Sequence, residues 1–202
     1  SDVILAGALG LTLNQNVTAN TSLLASSSGG NIIQSGGAII APVTASFTAG
    51  GAIGLPQANQ FNLFTATAGG LVQVNDVGPG ILLQNVTGAQ VNISALGPIT
   101  NAGGVVNTSV ANGSITLLAP SIGTLATTID LNPGTGLVSL SATSGDIYAS
   151  HIAGTLDLSR YTVSAAGAGR SIQLFGSSVN GDGITIGASG FAGFNANTND
   201  DD

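Results

Sequence analysis

The sequence predicts an all-β protein, a β-solenoid built from parallel coils. Three observations predict it. A short strand pattern restarts on a 23-residue clock, apolar and polar residues alternate within each copy, and glycine-rich corners separate the copies. The copies are ITLLAPSIG (115–123), VSLSATSGD (138–146), YTVSAAGAG (161–169) and ITIGASGFA (184–192).

The alternation is that of a strand, with Ile115, Leu117 and Ala119 interleaved with Thr116 and Leu118. Helix is disfavoured because glycine and β-branched residues are dense. Aligning the copies gives columns. The first is Ile115, Val138, Tyr161 and Ile184, and the second is Leu117, Leu140, Val163 and Ile186. The third is Ala119, Ala142, Ala165 and Ala188, expected at an interior corner too tight for anything larger. VNISALGPI (91–99) adds Val91, Ile93 and Ala95 to these columns after a step of 24. Between the apolar columns run Thr116, Ser139, Thr162 and Thr185, expected to point outward.

Upstream, LFTATAGG (63–70), SFTAGGAI (46–53) and LLASSSGGNI (23–32) read as the same strand at looser spacing. A long insertion is expected around 73–90. One coil has no core of its own, so each must bury its inner face against its neighbours. Roughly nine coils of about 23 residues fit the chain. They make a rod about 40 Å long at ~4.8 Å per coil. A single solenoid domain is expected over 1–194, with an acidic polar tail or joint at 195–202. A β-sandwich also needs many short strands, but it does not require the same residue type at one phase every 23 positions.

The alphabet narrows the function. Cys, Met, Trp, Lys and Glu are missing, glycine contributes 31 of 202 residues, and the formal net charge is -7. Without cysteine there is no disulfide framework or thiolate chemistry. Two arginines give no cationic surface for phosphates, so neither nucleic acid nor a polybasic membrane contact is expected. No apolar run approaches the ~20 residues of a spanning helix, so membrane insertion is not expected. The opening SDVILAGALG carries no basic n-region and reads as a processed product or an excerpt of a longer protein. The composition suggests an exported, extracellular or cell-surface protein.

GLVSLSATSGDIYASHIAGTLDLS and its neighbours resemble the repeats of filamentous haemagglutinin-like exoproteins of two-partner secretion systems, most clearly over 60–190. The resemblance implies a right-handed parallel β-helix, exported to a bacterial surface as a fibre or adhesin stalk. The secretion domain of that family carries Asn-Pro motifs. The one Asn-Pro here, in LNPGTG (131–136), reads as a corner turn, so no secretion domain is assigned.

Candidate sites are few. Stacking predicts inter-coil ion pairs Arg170–Asp146 and Arg160–Asp182. Polysaccharide cleavage needs clustered carboxylates, whereas Asp76, Asp130, Asp146, Asp157 and Asp182 are scattered. The single mixed cluster is Asp146, Tyr148, His151, Asp157 and Arg160, with the lone histidine expected to be a solvated corner residue and not a catalyst. NGDGITIG (180–187) is one Gly/Asp turn and not a calcium ladder, and the tail reads as solvated. TAT (65–67) occurs once, which argues against a regular ice-binding face. Six Asn-x-Ser/Thr triplets follow from composition. No catalytic residue, metal or cofactor is assigned. The expected partners are further copies of the chain docked head to tail, flanking repeats of a parent chain, or surface glycans. Three readings remain: a fibre building block, an adhesin or glycan-binding segment, and a polysaccharide lyase or hydrolase.

Overall fold

A computed structural model describes residues 1–176 and 179–180, and the strand Phe191–Thr198. The chain is a β-solenoid of about eight turns. Each turn contributes strands to two main faces, and every strand pairing between coils is parallel.

Face I carries the predicted columns. Its first column runs Leu11, Ile32, Ile53, Val72, Val91, Ile115, Val138, Tyr161, one residue per coil. The second runs Leu55, Val74, Ile93, Leu117, Leu140, Val163. All of these from Ile32 onward are buried, as are Ala95, Ala119, Ala142 and Ala165 at the corner. The expected members Ile184, Ile186 and Ala188 lie outside the described residues.

The step is uneven along the chain. From Val91 onward the steps along the first column are 24, 23 and 23 residues, but upstream they are 21, 21, 19 and 19. The upstream copy of the face I strand is therefore Leu71–Asp76, and no insertion occupies 73–90. Leu71–Asp76 and Ile81–Gly88 instead make a regular coil.

The strand parts of the segments 63–70, 46–53 and 23–32 do stack on one another, but on face II, while Ile53 and Ile32 at the ends of the last two lie on face I. Leu23 lies beside Ala45 and Ala45 beside Phe64, while Ala25 leads through Phe47 and Ala66 to Val86. That column continues through Val106, Leu131 and His151 to Gly176. Both faces alternate apolar-in with polar-out, so period alone does not distinguish them.

The core is a continuous apolar filling between the faces. Phe47, Phe61 and Phe64 meet there with ring centroids 5.2–5.9 Å apart. Burying side chains of this size contributes roughly 1.5–3 kcal/mol each. At the corners the backbones of adjacent coils come too close for side chains. A Cβ on Gly136 would run into the carbonyl of Gly113 in the preceding coil. At the far end, Phe191–Thr198 pairs in parallel with Arg170–Gly176. The ladder thus includes residues up to Thr198.

Candidate functional site

The outer surface of face I presents two columns across three coils. Thr116, Ser139 and Thr162 stack in register as the sequence predicts, and Ser114 stacks on Leu137 beside them. The same phase one coil further brings Arg160 to the end of that second column. A hollow of about 250 Å³ lies among these side chains.

Arg160 is held by its own coil. The 3₁₀ turn Leu158–Arg160 is capped by Asp157, whose Oδ1 accepts hydrogen bonds from the Ser159 amide (3.1 Å) and hydroxyl (2.6 Å). Asp157 Oδ2 pairs with Arg160 Nε at 3.1 Å. The Ser159 hydroxyl, helped by its amide and by Arg160, holds the Asp157 carboxyl below its usual range. The partner expected for Arg160, Asp182, lies outside the described residues.

The Arg170–Asp146 ion pair is not made. Ile147 pairs with Ile172, a step of 25 residues, which sets Ser171 rather than Arg170 over Asp146. Asp146 Oδ1 accepts the Ser171 amide at 2.9 Å. Arg170 Nε is buried without an acceptor among the described residues.

The mixed cluster around His151 separates into pairs. Tyr148 donates its hydroxyl to Asp146 at 3.4 Å, and Asp157 holds Arg160. His151 turns inward and meets the Tyr161 hydroxyl, with Nδ1 to O 2.7 Å. Burial lowers the His151 pKa against a hydrogen bond with the Ala153 backbone, and the Arg160 charge adds to the lowering. Burial alone raises that of Tyr161. The imidazole is thus a buried polar group with a hydrogen-bond partner, as buried polar groups generally are.

A second polar group lies inside the upstream coils, around Asp76. Asp76 stands at the phase of the alanine corner, paired in register with Ala95 and with Asn59. Its Oδ1 accepts the Phe61 amide at 2.8 Å and its Oδ2 the Gly78 amide at 3.2 Å. Burial raises the Asp76 pKa, against the pull of those two amides. Asn59 and Gln34 exchange reciprocal amide hydrogen bonds of 2.8 and 3.0 Å. Asn59 also accepts from the Ile39 amide and donates to the carbonyls of Leu55 and Gln57. The signal that locates Asp76 is its 19-residue offset from Ala95, shorter than the 23–24-residue step of the downstream copies.

The first coil has its own character. Val3–Gly7 pairs with Ser22–Ser27, Leu11–Leu13 with Ile32–Gln34, and Val17–Thr18 with Ile39–Ile40. Each of these strands has one partner among the described residues, leaving its other edge open. Val3, Leu5, Leu11 and Val17 pack on the core but stay half-buried. Compared with protein-family models, curated proteins and solved structures, the chain matches none of them.

Proposed function

We propose that this chain is a non-catalytic structural protein, a β-solenoid building block of an extracellular bacterial surface fibre assembled by end-to-end stacking. The observation that supports the reading is the open edge of the first coil. It offers a row of backbone N–H and C=O groups beside the half-buried Val3, Leu5, Leu11 and Val17. Such an edge is a template for another strand. A coil of the same cross-section satisfies it, supplied by a second copy or by flanking repeats of a parent chain. Head-to-tail contacts of this kind are heterologous and propagate into filaments. The placement outside the cell rests on composition.

A second reading, an adhesin stalk or glycan-binding segment, is favoured by the hydroxyl column Thr116–Ser139–Thr162 on the outer face. Electron microscopy of the purified chain at neutral pH tests the first reading. Continuous fibres are expected, and their loss on substituting Leu5→Asp at the open edge. Discrete short rods at all concentrations would overturn it.

A further inference from the structure

We propose that the hollow beside Arg160 binds a linear acidic polysaccharide, laid along the rod axis with one uronic-acid carboxylate on the Arg160 guanidinium. The proposal goes beyond end-to-end assembly and does not depend on it.

The shape comes from the parallel register. Thr116, Ser139 and Thr162 lie on three successive coils, so their hydroxyls form a floor along the axis with ~4.8 Å between neighbours. Each hydroxyl donates one hydrogen bond and accepts others, which matches the hydroxyls of a sugar. A volume of about 250 Å³ falls just below the ~300 Å³ at which pockets for drug-sized ligands begin. It suits one ring, with the rest of the chain running on over the neighbouring coils.

The chemistry comes from the two longer side chains. Leu137 is 64% exposed, an apolar wall against which the C–H face of a pyranose packs. Arg160 lies one coil further, at the same phase. Its link to Asp157 runs through Nε, so the edge formed by its two terminal amino groups is the one suited to a carboxylate. Asp157 is a positioning residue here. Its oxygens are engaged by Ser159 and Arg160, which fixes the turn and aims the guanidinium. Charge then sets selectivity. With a formal net charge of -7 the chain repels anions in general. An anion is retained when it also fills the hydroxyl floor and the leucine wall, as a uronic-acid chain does.

The test is calorimetric titration of the full chain with oligomers of galacturonic acid, and with the neutral galactose oligomers of equal length. Binding of the acidic series is expected, weakening with salt. Arg160→Gln should weaken it roughly tenfold or more, the scale of one charge-assisted pair lost. Arg160→Lys should recover part of that loss, because it restores the charge without the fork. Leu137→Ser, which leaves the Asp157–Arg160 pair untouched, should weaken binding as well, with an unchanged circular dichroism spectrum. Three results would overturn the proposal: no heat of binding at millimolar oligouronate, equal affinity for the neutral series, or affinity unaffected by both Arg160→Gln and Leu137→Ser. Fibre formation, scored separately by microscopy, is expected to be unchanged in all three variants.

Discussion

His151 Nδ1 and the Tyr161 hydroxyl lie 2.7 Å apart in the interior of the rod, brought together from face II and face I. In the preceding coil the corresponding positions are Leu131 and Val138, so a polar pair replaces two apolar residues at this level. The chain has a single histidine, which makes its titration separable.

The folded-state pKa of His151 is lowered, against an unfolded value of about 6.5. Its contribution to stability is therefore full above that pH and is lost as pH falls from there through the folded pKa. The urea midpoint of the wild type should fall between pH 7 and pH 5.5. His151→Leu, which restores the residue type of the coil below, should flatten that slope. An equal slope in both proteins would remove the histidine from the account.

Asp76 has the opposite sign. Its folded pKa is raised above an unfolded value of about 3.9. The contribution is fully present below that value and is lost as pH rises through the folded pKa. Asp76→Asn keeps an acceptor for the Phe61 amide and cannot ionise. The variant should gain on the wild type as pH rises from 4 to 7, measured by paired chemical denaturation at the two ends.

The Gln34–Asn59 pair should behave as a unit. Either residue alone changed to alanine leaves buried amide groups unpaired, at a cost of about 1–3 kcal/mol. The double variant should cost less than the sum, with a coupling of roughly 0.5–3 kcal/mol from a double-mutant cycle. Strict additivity would mean that the reciprocal bonds contribute nothing jointly.

Phe47 and Leu137 make a contrast between inside and outside. Phe47 is fully buried against Phe61 and Phe64, and Phe47→Ala should cost about 3–5 kcal/mol in unfolding free energy. Leu137 stands out from the opposite side of its strand, and Leu137→Ala should stay within about 0.5 kcal/mol of wild type. Thermal denaturation of both variants ranks them directly.

Face I from Val91 onward was legible in the sequence because a strict step exposes columns: Val138 under Tyr161, Leu140 under Val163, Ala142 under Ala165. The upstream coils were not, for two physical reasons. Corners made of glycine absorb length changes without disturbing strand register, so the step drifts from 19 to 21. The second face also obeys the same alternation, so Phe64–Ala66–Ala68 looks like a copy of Ile93–Ala95 although it lies elsewhere in the coil. Polar residues gave the weakest signal. Asp157 and Arg160 are three apart and meet through a local turn, whereas a search for partners in adjacent coils passes over neighbours in the same one.

The hydrogen bonds between coils all run along the rod axis, because every pairing is parallel and joins one coil to the next. A force along the axis is carried by these ladders in series, so the weakest ladder gives way first. Under tension the rod should behave as a spool, paying out a single coil of 19–25 residues while the remainder keeps its shape. Each release lengthens the chain by roughly 60–90 Å at ~3.3–3.6 Å per residue. A rod pulled this way should yield in steps, with the coils that have not yet unreeled keeping their stacking throughout.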